Sequence, residues 1–355
     1  MTDDIAATGM PLRPLGRGGP VVSLHALGAM TFGAETDEDG AHRMLDLFAD
    51  RGGTLIDTAD VYSDGASEEM IGRWGRARGG MDDLIVATKC RFAPTPGSRG
   101  ASRRAVLRAV ETSLSRLQVE AIDLFFIHGW DAETDVAETL QALGDLRRQG
   151  KLHHVGWSNV TGWQLERICT TARLMELPVP VAVQPQYSLL DRGIETEVLP
   201  CALENGIGLT PWSPLGGGWL TGKYAADVRP TGSTRLGDDP NRGVEAYDKR
   251  NTDRTHAVLR AVQDVADRHG RLMAHVALAW LASRPGVSSI LLGARNSAQL
   301  AGNLDAVGLD LPPDDLTALT AASAPGLPGY PYGFVRDWSG VDHWDRMGTA
   351  SGASA

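Results

Sequence analysis

The sequence predicts an α/β fold, a (β/α)8 TIM barrel, because eight short apolar runs recur along it with helix-period segments between them. Length agrees: 355 residues exceed one average domain, yet α/β barrels of this size form a single one. One domain over 1–355 is expected, with the barrel at 11–322 and a C-terminal tail at 323–355. A doubly wound open sheet is the structural rival.

The candidate strands begin with Leu24 to Leu27, Leu55-Ile56, Leu84 to Ala87 and Ile122 to Ile127. Leu152 to Trp157, Val181 to Val183, Ile207 to Leu209 and Val287 to Leu292 complete the eight. Between them, Met44, Leu45, Leu47 and Phe48 mark one helix face, and Val106, Leu107, Val110, Leu114 and Leu117 another. Thr161 to Gln164 has the spacing of a capping box. Alternating strands and helices imply parallel pairing with right-handed crossovers.

Three segments break the rhythm. Pro11 to Ser23, with Gly16, Gly18, Gly19 and Pro20, reads as a β-hairpin ahead of the first barrel strand. Ala225 to Asn251 forms a long aperiodic loop after strand seven, of a length that is functional or disordered in compact domains. The tail carries Tyr330, Tyr332, Phe334 and Trp338, which are expected to pack over the barrel mouth.

Bulk properties exclude several classes. A net charge of −10 argues against nucleic acid and anionic membranes as partners. Cys90, Cys169 and Cys201 lie too far apart for a zinc framework or a disulfide scaffold. His42, His153, His154 and His269 lack metal-ligand spacing, so no metal site is expected. No apolar run approaches the ~18 residues of a membrane span, and the first ten residues lack a secretory pattern. A cytoplasmic location is expected, and a homo-oligomer is left open.

In such a barrel, chemistry sits at the C-terminal ends of the strands. Asp57 follows the second apolar run, Lys89 the third and His128 the fourth. Each has a plain alternative: an Asx-turn, a solvated loop lysine, a hydrogen-bonded structural imidazole. Their coincidence on three neighbouring strands points instead to one shared site. Tyr62, five residues past Asp57, can curl back beside Lys89. A phenol with a pKa near ~10 is a weak acid, and the ammonium is expected to lower it. Asp57 would hold the ammonium, and His128 would bind the same substrate oxygen. That set protonates an oxygen as it gains charge.

These residues fall in a longer series: Asp57-Thr58-Ala59-Asp60-Val61-Tyr62, Thr88-Lys89, Ile127-His128-Gly129-Trp130-Asp131 and Gly156-Trp157-Ser158-Asn159. Gln184 to Leu190, Trp212-Ser213-Pro214-Leu215 and Gly293-Ala294-Arg295 with Gln299 and Asn303 complete it. In order and spacing the series resembles the aldo-keto reductases, particularly the branch containing voltage-gated potassium channel β-subunits.

The resemblance implies NADPH-dependent reduction of small aldehydes or ketones, with Asp57, Tyr62, Lys89 and His128 as the catalytic tetrad. It implies that Ser158, Asn159 and Gln184 bind the nicotinamide carboxamide and that Trp212, otherwise a core residue, stacks on the ring. The resemblance also implies that Asp57, Ala29 and Met30 lie beside the same ring, the last two replacing residues common in relatives. Ser213, Pro214, Leu215, Gly217 and Lys223 match a pyrophosphate loop. Arg235 is placed at the adenine end and Arg295 on the adenosine 2′-phosphate, with Gly293, Gln299 and Asn303 as further implied cofactor contacts. A guanidinium at a helix start that Asn296 caps suits that phosphate. Gly302 replaces an acid that contacts adenine in relatives. The implied substrate wall is Met30, Tyr62, Phe92, His128, Trp130 and the tail aromatics.

Other readings stay open. Gly217 to Tyr224 nearly forms a P-loop, but Tyr224 stands where Ser or Thr must bind magnesium. No G-x-G-x-x-G opens a βαβ unit, which weakens a Rossmann fold. A regulatory NADP(H)-binding subunit with little turnover is the functional alternative. A Schiff-base aldolase using Lys89 is weaker still.

Overall fold

The computed structural model describes residues 9–92, 99–226, 228–232, 234–239, 241, 243–326 and 329–339. An antiparallel hairpin, β1 (Leu12–Pro14) and β2 (Val21–Ser23), precedes the barrel as expected. The barrel strands are β3 (His25–Gly28), β4 (Leu55–Asp57), β5 (Ile85–Cys90) and β6 (Ile122–Ile127). They continue with β7 (Leu152–Ser158), β8 (Ala182–Gln184), β9 (Gly208–Leu209) and β10 (Ile290–Gly293). Neighbours pair in parallel in the order β10-β3-β4-β5-β6-β7-β8-β9. The two ends join where Leu209 N donates to Gly286 O (2.7 Å) and Leu209 O accepts from Ser288 N (2.9 Å) and Ser289 N (3.3 Å). Each expected strand is present, and the open-sheet rival falls.

Helices α1 (Glu38–Asp50), α2 (Ala66–Ala77), α3 (Arg103–Leu117), α4 (Val136–Arg148), α5 (Gly162–Leu174) and α6 (Val198–Asn205) fill the crossovers. Four of these starts follow from polar caps: Asp37, Ser102 and Asp135 accept from first-turn amides, and Thr161 and Gln164 complete the expected capping box. The long stretch after β9 holds two short helices, α7 (Arg235–Asp238) and α8 (Tyr247–Arg250). Aromatic packing orders it: Tyr247 stacks on the fully buried Trp219 with centroids 5.6 Å apart. Helices α9 (Asp253–His269) and α10 (Met273–Ala282) lead into β10, followed by α11 (Ser297–Leu304) and α12 (Pro313–Ala322).

Strand side chains alternate faces, so the barrel strands serve two cores between them. Ala26, Leu55, Ala87, Leu124, Phe126, Ala182 and Leu291 form the inner cluster, floored by Leu15 and Val22 of the hairpin. Leu27, Ile56, Val86, Phe125 and Ile127 face the helices in the outer cluster. Gly156 is needed for space: a Cβ there would lie 2.5 Å from the Phe126 ring. The barrel interior is therefore filled by side chains, which leaves chemistry to the C-terminal mouth of the strands.

The tail departs from expectation. Tyr332 reaches Glu197 beside the start of α6, while α13 (Phe334–Ser339) leaves Phe334 half exposed and Tyr330 and Trp338 largely so. Tyr330, Phe334 and Trp338 pack on one another. None of Tyr330, Tyr332, Phe334 and Trp338 lines the cleft at the mouth, and residues 340–355 of the tail lie outside the described residues.

Candidate active site

Counting in twos along the inner row of each strand leads to the site. Leu55 is followed by Asp57, Ala87 by Lys89, Phe126 by His128, Gly156 by Ser158 and Ala182 by Gln184. An apolar core row thus ends in a polar group at the same mouth five times. A cleft of about 620 Å³ opens there.

Lys89 is completely buried and donates to Asp57 Oδ2 (2.5 Å), Thr58 O (2.8 Å) and Tyr62 Oη (3.3 Å). Burial opposes the ammonium, but Asp57 and Tyr62 outweigh it and hold its pKa above the ordinary value. The second Asp57 oxygen accepts from Gln184 Nε2 (2.8 Å), so both carboxylate oxygens are engaged.

Tyr62 opens a 3-10 turn and lines the cleft beside His128, their rings edge to face at 6.1 Å. One expectation is corrected: burial raises the Tyr62 pKa, and the Lys89 charge only partly offsets it. The phenol stays protonated through neutral pH. Burial first, then the charges of Lys89 and Arg91, push His128 down to about 2, leaving a neutral imidazole.

Asp60, behind Tyr62, is raised to about 7 by burial and by Glu68, and its Oδ1 is buried without a hydrogen-bond partner among the described residues. A carboxyl whose folded pKa lies above its unfolded value loses stability as pH rises between the two. Asp60→Asn is expected to stabilise the protein in urea unfolding, with the gain growing from about pH 4 to 7 and then levelling. Its upper bound is about 4 kcal/mol.

Away from the tetrad, Trp212 lines the cleft and donates to Asn159 Oδ1 (3.2 Å), whose amide donates to His128 O (2.9 Å). Ser158 Oγ donates to Gln184 O (2.8 Å). Asn159 (φ 52°) and Ser213 (φ 55°) sit in the left-handed region, a conformation that tends to persist at ligand sites. Beyond Ser213, Pro214 and Leu215, the chain turns through Gly217 (φ 65°) and Gly218 (φ 97°). A Cβ on either would collide, with Glu245 at 2.4 Å and Lys223 at 2.5 Å.

Cations line the far end. Arg235 lies 3.5 Å from Glu245, and Lys223 is exposed on the rim. Arg295 Nη1 donates to Asp238 Oδ2 (2.9 Å), whereas its buried Nη2 has no hydrogen-bond partner among the described residues. Asn296 caps α11 as expected, and Gln299 Oε1 accepts from Arg295 N (3.0 Å). Met30, Gly293 and Asn303 also line the cleft.

Four expected residues lie outside the lining, Lys89 among them because it is completely buried behind Asp57 and Tyr62. Ala29 is buried in the outer cluster, because the chain turns after β3 and presents Gly28, Met30 and Thr31 instead. Phe92 packs on His128 (4.8 Å), and Trp130 meets Trp163 edge on at 5.4 Å, so both belong to the rim. Sequence reasoning missed Thr31, Thr221, Thr234 and Glu245, which line the cleft. Only Thr31 carried a signal, its place just past a strand end.

Residues 26–324 match the model of the Aldo/keto reductase family. A probable voltage-gated potassium channel subunit beta of Arabidopsis thaliana is 34% identical over 306 residues, covering 84% of this chain and 91% of the relative. An aflatoxin B1 aldehyde reductase member 2 of Mus musculus is 32% identical over 313 residues, 85% and 82% of the two chains. An aryl-alcohol dehydrogenase (NADP+) of Phanerodontia chrysosporium is 28% identical over 338 residues, 90% and 86%. The matched span contains the barrel strands, save the first residue of β3, together with the whole lining of the cleft, and the chain belongs to the aldo/keto reductase family.

Proposed function

We propose that the protein is an NADPH-dependent oxidoreductase that reduces aldehydes or ketones to alcohols, with Tyr62 as general acid. The observation that carries this reading is one cleft with a buried acid–base cluster at one end and Lys223, Arg235 and Arg295 along the rest. Such a cleft suits an elongated anionic ligand. The unpartnered Arg295 Nη2 fits a phosphomonoester, and Lys223, packed against Gly218 of the Ser213–Gly218 turn, offers a cation to a pyrophosphate. The relatives named as an aldehyde reductase and an NADP+ alcohol dehydrogenase support the same chemistry.

Ser158, Asn159, Gln184 and Trp212 would hold the nicotinamide, which would supply hydride to the carbonyl carbon. Tyr62 gives its phenolic proton to the carbonyl oxygen as charge gathers there. Lys89, fixed by Asp57 and the Thr58 carbonyl, stabilises the phenolate left behind. His128, neutral, offers a hydrogen bond to the same oxygen without competing for the proton. Met30, with Phe92 and Trp130 on the rim, gives an apolar approach for a small carbonyl compound.

Fluorescence titration with NADPH and NADH, then addition of 4-nitrobenzaldehyde, tests the reading. Tight NADPH binding followed by its consumption is expected. Binding without consumption across a carbonyl panel would favour a regulatory NADP(H)-binding subunit, the reading suggested by the relative named as a channel β-subunit. Arg295→Ala is expected to weaken NADPH roughly 10- to 100-fold, the loss of a charge-assisted hydrogen bond, with NADH affinity nearly unchanged. Equal losses for both would place the 2′-phosphate elsewhere.

A further inference from the structure

Tyr62 is presented on a backbone that would not hold its shape unaided. Ser63 (φ 49°), Asp64 (φ 54°) and Gly65 (φ 99°) follow it in the left-handed region. That conformation costs about 1–2 kcal/mol for each of the two non-glycine residues. One side chain spans the whole turn from behind. Arg116, from α3, donates through Nη1 to Asp60 O (3.2 Å) and through Nη2 to Asp64 O (3.3 Å). These carbonyls stand two residues before and two residues after Tyr62. The guanidinium lies flat against the turn, where a Cβ on Gly65 would be 2.1 Å from Arg116 Cζ.

The same guanidinium is tied to the strand that carries Lys89. Arg116 Nη1 also donates to Glu68 Oε2 (3.2 Å), and the fully buried Glu68 accepts from Thr88 Oγ1 (2.6 Å). Thr88 immediately precedes Lys89 on β5. One planar fork therefore grips both sides of the Tyr62 turn and registers it against the Lys89 strand. Arg116 itself does not line the cleft.

We propose that Arg116 is a positioning residue for the reaction, fixing the turn so that the Tyr62 hydroxyl meets Lys89 at the cleft floor. The proposal rests on Tyr62 being the general acid. It differs from a purely structural role because its effect must pass through Tyr62. An ammonium at position 116 is a point charge and cannot replace a fork that bonds two carbonyls and a carboxylate together. A displacement of one ångström at a reacting group costs on the order of 10²-fold in rate.

The test uses Arg116→Lys and Glu68→Gln in the full chain, with 3-fluorotyrosine at position 62 as a ring probe. Both variants are expected to bind NADPH within about two-fold of the unmodified protein and to change KM little. Their kcat should fall about 10- to 100-fold, with the fluorine resonance of position 62 displaced or broadened. In a Tyr62→Phe background, Arg116→Lys should lower kcat no further, since the group it positions is gone. An unshifted fluorine line with unchanged kcat overturns the proposal. So does a loss of NADPH affinity as large as the loss of kcat, or an additive loss in the Tyr62→Phe background. If Arg116→Lys does not fold, Glu68→Gln decides alone, because it keeps volume while removing the charge and one of the two acceptor oxygens that join Thr88 to Arg116. If the unmodified protein reduces no carbonyl, the reductase reading fails separately. The fluorine line then judges Arg116 by itself: displaced supports the positioning, unmoved overturns it.

Discussion

Tyr62→Phe is expected to fold, to bind NADPH with unchanged affinity, and to reduce carbonyls about 10²- to 10⁴-fold more slowly. The substitution keeps the ring, and with it the edge contact to His128 and the face near Lys89. Only the hydroxyl that accepts from Lys89 Nζ is lost. Stopped-flow loss of NADPH absorbance, alongside a binding titration, measures the two effects separately. Activity near that of the unmodified protein would remove Tyr62 from the mechanism. The protonation states carry a further signature. Since burial raises the Tyr62 pKa and lowers that of His128 to about 2, neither group titrates between pH 6 and 9. Reduction should therefore lose its acid only as pH climbs past the phenol's pKa. Oxidation of an alcohol needs the phenolate and should instead rise with pH.

Lys89→Met is expected to cost stability as well as turnover. The side chain has no exposed surface and holds Asp57 at 2.5 Å in a nearly sealed site. Removing one member of a buried ion pair strands the other, at about 3–5 kcal/mol. Gln184 still donates to the other Asp57 oxygen, but one neutral amide cannot balance a buried carboxylate. Urea unfolding of Lys89→Met should show that loss, and the double variant Lys89→Met with Asp57→Asn should recover much of it. A double variant no more stable than the single would mean that the stranded charge is not the cause. On the proposed function the pair serves chemistry rather than stability, since apolar replacement of a buried ion pair is often neutral or stabilising.

The barrel was legible because its strands are short, apolar and separated by helices of clear period. Asp57, Lys89 and His128 were legible for a related reason: each continues the inward-facing row of its strand at the mouth. Tyr62 was readable as a candidate but not its acidity, because the balance between burial and the Lys89 charge depends on packing that no spacing encodes. Ala29 was misplaced because a turn directly after β3 redirects its side chain outward, an effect of one residue of register. Glu245 and Asp238 were invisible, since they sit in an aperiodic stretch ordered by the Trp219–Tyr247 stack. The tail aromatics were expected to cover the mouth on composition alone, and composition does not say which partner a ring finds first.

The narrow join between β9 and β10 gives the cleft a mechanical role. β9 has two residues, and its link to the approach of β10 hangs on the Leu209 backbone and on Leu291 N donating to Pro211 O (3.0 Å). Trp212 and Ser213 leave from one side of this seam, while Gly293 and Arg295 leave from the other, and all four face the same cleft. Any ligand lying along the cleft touches both lips and acts as a splint across the thinnest part of the wall. Occupancy and closure are then one equilibrium, and the free energy of binding is also resistance to the barrel coming unzipped.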